Sequence, residues 1–210
     1  MKKILIIDTS YNLKKINSLN LNQVIESRNL DKYFSKVFSV HPLATIEESN
    51  SYTKKYGIYN LIKINEDHLF IEGKIGISRY LKFFNILNFF ISQLILFKFL
   101  SNLIKKEKIE YIKGGSPNYS GFFSYLLSKF TSIPYVIRVG SNNDKIYEVT
   151  NKPIEKKFFR FRFIEKYVEN IVLKNASFVM AANENNLKFA LKNSAKKNLS
   201  KVIRYSYLID

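Results

Sequence analysis

Short apolar runs recur along this chain, and most are followed by a stretch of helical period. KILIID (3–8), KVFSV (36–40), IEYIK (109–113), PYVIRV (134–139), SFVMAA (177–182) and KVIRY (201–205) read as strands. Residues 21–34, 78–106, 118–130, 153–174 and 183–192 read as helices. Strands that alternate with helices call for parallel pairing, because parallel neighbours need a long crossover between them. The hand of such crossovers puts helices on both faces of the sheet. Runs as apolar as 4–7, 134–139 and 178–182 suit strands covered on both sides. The expectation is one α/β domain built on a Rossmann-like, doubly wound parallel sheet. NLIKI (60–64) and HLFIEG (68–73) break the rhythm. Only Asn65, Glu66 and Asp67 separate them, which predicts a hairpin or an irregular insertion. Residues 43–57 and 140–151 are polar and read as loops.

Composition narrows the chemistry. At 46% hydrophobic and 15% aromatic residues, the 210-residue chain can bury a core. It has no cysteine, which excludes disulfides, thiolate metal sites and thiol nucleophiles. His41 and His68 lie in different segments and make no histidine cluster. The net charge of +17, from 34 cations against 17 acids, draws such a chain toward phosphates. Only six of those cations are Arg, and a Lys-, Asn- and Ile-rich composition yields the same excess with no partner at all. The apolar run Ile4–Ile7 is too short for a signal-peptide core. FFNILNFFISQLILFKFL (83–100) has spanning length, but Asn85, Asn88, Ser92, Gln93 and Lys98 interrupt it. It is expected to be a buried or half-buried helix of a soluble domain.

In open α/β sheets ligands bind beyond the carboxyl ends of the strands. Two loops stand there. In GGSPNYSG (114–121), Gly114 and Gly115 allow a sharp turn and close approach of a ligand to the backbone. Ser116 is a good N-cap and Pro117 a good first helical residue. The helix start offers N–H groups to an anion or hydroxyl, with Asn118 beside it. Gly121 permits close helix–strand packing or close ligand approach. The second loop, VIRVGSNND (136–144), has Arg138 near the strand end and a bend at Gly140. Ser141, Asn142 and Asn143 supply donors and acceptors, and Asp144 is the candidate general base. Turn formation alone also explains both compositions. KKFFRFRFIEKY (156–167) interleaves cations with aromatics. As a helix it places Phe158, Phe161 and Ile164 toward the core and Phe159, Phe163 and Tyr167 on a second stripe. That stripe suits either a solvated basic face or an anionic membrane surface. No nucleic-acid motif accompanies it, so a nucleic-acid partner is not expected.

GGSPNYSGFFSYLLSKFTSIPYVIRVGSNNDKIYE, RFIEKYVENIVLKNASFVMAANENNLKFAL and VIRYSYLID, in this order, resemble the amino-terminal domain of the family 4 retaining glycosyltransferases. Ala176-Ser177-Phe178-Val179 matches that family's A-D-x-V strand with serine at the acidic position. Tyr207-Leu208-Ile209-Asp210 stands where an Asn-Gly-Ile-Asp segment would. DTSYN (8–12) replaces the family's glycine-rich loop, and GSNND replaces a histidine-bearing one. The resemblance implies the amino-terminal half of a GT-B fold over residues 1–205. Residues 206–210 would begin a link to a donor-binding domain or subunit. It implies an acceptor-binding domain for a glycan or lipid-linked acceptor, on a cytoplasmic chain peripheral to the inner face of a membrane. It implies no cofactor. A nucleotide-sugar co-substrate would be held mainly by the other domain, and this chain alone would lack turnover. Gly114, Gly115, Ser116, Asn118, Gly121, Arg138, Gly140, Ser141, Asn142 and Asn143 would face the acceptor, with Asp144 catalytic and no metal. The alternative is a non-catalytic binding domain that keeps the fold.

Overall fold

The computed structural model describes residues 2–156 and 158–204, with backbone only at Ser49 and Lys82. The chain is an α/β fold whose strands form a mostly parallel sheet of eight. It consists of two compact units, Met1–Tyr111 and Ile112–Asp210.

In the first unit β1 (Lys2–Ile7) leads to α1 (Leu13–Ser18), which starts because the Asn12 side chain accepts the Lys15 N–H. The short α2 (Asn22–Glu26) follows, and then β2 (Phe34–His41). The expected helix over 21–34 is cut short because Leu30, Asp31 and Lys32 all take left-handed backbone angles. After α3 (Ala44–Glu47) come β3 (Tyr59–Asn65) and β4 (His68–Gly73), the predicted hairpin. β4 also pairs in parallel with β2, and β2 with β1, so the order is β3-β4-β2-β1. Both faces of β1 are covered. Ile4 and Ile6 pack with Phe34 and Val37, while Leu5 and Ile7 are fully buried. Ser78 caps a 3-10 stretch at 79–84, and α4 (Asn85–Glu107) follows a kink at Leu81, so the single long helix expected from 78 is two pieces. Glu107 ties the end of α4 to Lys3 of β1 and Lys36 of β2. A cleft of about 730 Å³, lined by Tyr33, Phe34, Asn65 and His68 among others, opens at the amino-terminal ends of β2 and β4. That is the end of the strands opposite the one that open α/β sheets use for ligands.

The second unit holds β5 (Tyr111–Gly114) from its second residue onward, α5 (Tyr119–Thr131), β6 (Tyr135–Val139), α6 (Asn143–Thr150), α7 (Arg162–Asn175), β7 (Phe178–Ala181), α8 (Glu184–Lys192) and β8 (Ser200–Val202). Its strands pair in parallel in the order β5-β6-β7-β8. Two expectations fail here. The loop expected over 140–151 is a helix from Asn143, because the Asn142 side chain accepts the Lys145 N–H and acts as a cap. The helix expected from Pro153 begins only at Arg162, after Phe161 in an extended conformation. The aromatic stripes of 156–167 therefore do not form as read. Phe159 is the buried one, Phe161 and Ile164 are exposed, and α7 turns Glu165, Glu169, Val172 and Leu173 inward. The segment proposed as a link, 206–210, and the end of the expected strand at Tyr205 lie outside the described residues.

Candidate functional site

The second unit brings both sequence-marked loops to the carboxyl ends of its strands. At the first, neither Gly114 nor Gly121 leaves room for a ligand. A Cβ on Gly114 would stand 2.6 Å from Ile137 Cδ1, and one on Gly121 would stand 2.4 Å from the Ser116 carbonyl oxygen. Both glycines seat α5 against β6 and its own entry loop. Asn118, not Ser116, occupies the N-cap position. The Ser116 N–H donates to Ser120 Oγ at 3.1 Å, and the two hydroxyls lie 3.0 Å apart. The anion expected at this helix start is supplied by the protein itself, since the Tyr119 N–H donates to Glu155 Oε2 at 2.9 Å.

At the second loop, Gly140 is exposed and a Cβ there would meet nothing within 4 Å. Ser141 and Asn142 are half-buried. Ser141 Oγ donates to Asn143 Oδ1, and Asn142 Nδ2 donates to Asn185 Oδ1 at 3.3 Å. Asn143 is buried and joins the loops: its Nδ2 donates to Asn118 Oδ1 at 3.1 Å and to Glu169 Oε1 at 2.6 Å. Arg138 lies half-buried in β6, next to its last residue.

Beneath the loops Arg162 gathers three carboxylates. Its guanidinium makes a two-pronged contact with Glu169, at 2.9 and 2.8 Å. It also reaches Glu165 Oε2 and Asp144 Oδ1, both at 2.8 Å. Glu165 and Glu169 are fully buried, and the Arg162 Nε has no partner. Burial opposes the charge on Arg162, yet the bonds to Glu169 and Asp144 hold its pKa above the ordinary value. Burial raises the pKa of Glu169 against the pull of Arg162 and Asn143, as expected where one cation faces several acids. Asp144 is held below its ordinary range. Burial works against this, but Arg162, Asn193 and Lys166 prevail. Lys166 and Lys192 stand 3.5 and 3.8 Å from its two oxygens. Among the described residues no group of three or more His, Asp or Glu is arranged to hold a metal; these three acids surround a guanidinium.

The structure thus unites Asn118, Asn143 and Asp144 in one network and leaves Gly140, Ser141 and Asn142 at its surface. It gives Gly114 and Gly121 to packing. Sequence reasoning missed Arg162, Glu165 and Glu169, and also Asn185 at the start of α8. An Arg followed by Glu at three and seven positions on one helix was the available signal for the buried cluster.

No protein-family model and no curated protein matches this sequence. Solved structures do match its fold. HepE from Anabaena, in complex with UDP, aligns with 97% of this chain at TM-score 0.53 and 13% identity, using 44% of its own chain. A sucrose-phosphate synthase from Thermosynechococcus elongatus aligns with 98% of this chain and 90% of its own, at TM-score 0.56 and 12% identity. A putative UDP-N-acetylglucosamine 2-epimerase from Listeria monocytogenes aligns with 96% of this chain and 45% of its own, at TM-score 0.51 and 9% identity. The chain therefore spans less than half the length of HepE and of that epimerase, and its fold is one half of a GT-B-like fold.

Proposed function

We propose that this chain is the acceptor-binding, amino-terminal half of a retaining GT-B glycosyltransferase of the family 4 type. In this reading the sugar passes from a nucleotide sugar, held by a donor-binding domain or subunit, to a glycan or lipid-linked acceptor. The observation that carries the proposal is the Asn118–Asn143 hydrogen bond, which joins the loops after β5 and β6 at the carboxyl ends of a GT-B-like sheet. Ser116, Gly140, Ser141 and Asn142 are the groups offered to acceptor hydroxyls. Asn118 and Asn143 hold the two loops in register. Asp144 is a positioning residue and not the base, since its carboxylate is committed to Arg162 and its lowered pKa makes it a poor proton acceptor at neutral pH. The likeness to an epimerase supports a second reading, half of an enzyme that acts on the nucleotide sugar itself.

Saturation-transfer NMR on the 210-residue chain separates the two, using nucleotide sugars and a panel of free and lipid-linked saccharides. The transferase reading expects saccharides to bind. Ser141→Ala together with Asn142→Ser, which keeps a capping side chain, should weaken that binding about tenfold, the worth of one or two hydrogen bonds. Binding of nucleotide sugar with no saccharide at all would overturn it.

A further inference from the structure

In a water-facing helix the apolar side turns inward and the polar side outward. The first half of α4 and the turn before it do the reverse. The inward residues of Asn85–Leu94 are Asn88, Ser92 and Gln93. Asn88 Oδ1 accepts the N–H groups of Ile77 and Ser78, and its Nδ2 donates to the Ser78 carbonyl. Ser92 Oγ donates to the Lys74 carbonyl and Gln93 Nε2 to the Pro42 carbonyl. Gly76 makes room for this seat, because a Cβ there would stand 2.5 Å from the Asn88 amide. Turned outward are Tyr80 at 94% exposure, Phe83 at 84%, Ile86 at 75% and Leu94 at 65%, with Phe84, Leu87 and Phe90 also more than half exposed. Leu87, Phe90 and Leu94 recur at helical spacing and, with Phe83 from the turn before the helix, form one stripe roughly 16 Å long.

We infer that this stripe is a docking surface for an anionic lipid bilayer, with α4 lying in the interfacial plane. Asn88, Ser92 and Gln93 are spent on backbone partners in their own unit, so the outward side is mainly hydrocarbon and aromatic rings, with Asn85 the exposed polar side chain at its start and Lys98 at its end. Exposed Arg79 and Lys98 bound the stripe at its two ends, and Lys105 and Lys106 follow on the same helix. No Asp or Glu occurs between Glu72 and Glu107. Cations around an apolar face complement phosphate headgroups. A second copy of the chain is the poorer occupant, because it would bring two such cationic rims together on molecules of net charge +17. The inference is independent of the transferase reading, and it moves membrane contact away from residues 156–167.

The chain contains no tryptophan, so a single Phe90→Trp substitution reports on the stripe alone. With vesicles of equal parts phosphatidylglycerol and phosphatidylcholine at low salt, its emission should shift to the blue and be quenched by brominated acyl chains. Phe163→Trp, on the exposed aromatic pair Phe161 and Phe163, should do neither. Replacing Leu87, Phe90 and Leu94 together by serine should lower the bound fraction at least about tenfold. Quenching of Phe163→Trp with Phe90→Trp unaffected would overturn the proposal, as would equal binding to pure phosphatidylcholine. So would a blue shift without vesicles that accompanies dimers in sedimentation, since the stripe would then belong to a second copy.

Discussion

Arg162 is the residue on which the most depends. It is one-tenth exposed, it is the only cation among the described residues in direct contact with buried Glu165 and Glu169, and it holds Asp144 as well. Removing one member of a buried ion cluster leaves the others desolvated and unpaired, at a cost of about 3–5 kcal/mol. Arg162→Ala should therefore lower the unfolding free energy by that amount in urea melts. Arg162→Lys should recover little, because a single ammonium cannot make the two-pronged contact with Glu169. If Arg162→Lys melts like the wild type, the fork geometry is not what stabilises the cluster. Asp144→Asn belongs to the same test. The sequence presents Asp144 as a candidate base at the end of a polar loop. Its bonds to Arg162 and Asn193 make a loss of about 1–3 kcal/mol the expected result.

At the scale of elements, two glycines separate packing from openness. Gly121→Ala forces a methyl group to within 2.4 Å of the Ser116 carbonyl oxygen and 2.9 Å of Val172 Cγ1, so α5 must lift from its seat. A loss of about 1–3 kcal/mol is expected, the usual cost of overpacking. Gly140→Ala meets open space and needs no left-handed backbone, so its melting temperature should stay within a degree or two of wild type. Equal melting temperatures for the two variants would remove the packing role given to Gly121. The same contrast shows what sequence made legible. The strands were readable because apolar runs such as Ile4–Ile7 are covered on both faces, and residue type alone marks such a strand. The helix start at Asn143 was hidden because asparagine and serine serve turns and caps alike. The inversion of α4 was hidden because hydropathy counts residues without knowing on which side the sheet lies. Only the spacing of Arg162, Glu165 and Glu169 on one helix hinted at the buried network; the rest was hidden because Asn118, Asp144 and Asn193 are distant from that helix in sequence and converge on it only in the fold.

For the whole molecule, buried ionisable groups in both units set how stability depends on pH. In the first unit His68 lies buried with Nε2 2.6 Å from Ser39 Oγ. Burial, with a smaller contribution from the Arg28 charge, lowers its pKa from the ordinary 6.5 to about 4. Between those values the unfolded chain binds a proton that the folded chain does not, so stability falls as pH drops from 6.5 toward 4. The shift corresponds to roughly 3 kcal/mol once pH is below both values. Asp8, despite burial, is held below its ordinary range by Arg28 and the Ser10 N–H, and Asp144 in the second unit is likewise low. Their stabilisation is present above the ordinary carboxylate range and disappears as pH falls through it, below about pH 4. Glu169 moves the opposite way, since its raised pKa means that protonation relieves an acid-rich cluster. Protonating the acids also adds to a net charge already at +17, and self-repulsion then favours the unfolded chain. Urea unfolding at successive pH values should therefore show two limbs, one between pH 6.5 and 4 and a steeper one below. His68→Asn keeps a partner for Ser39 without the titration, so it should flatten the first limb and leave the second. A wild-type stability that stays level from pH 7 to pH 5 would show that His68 takes up its proton as readily in the folded chain as in the unfolded one, contrary to its burial beside Arg28.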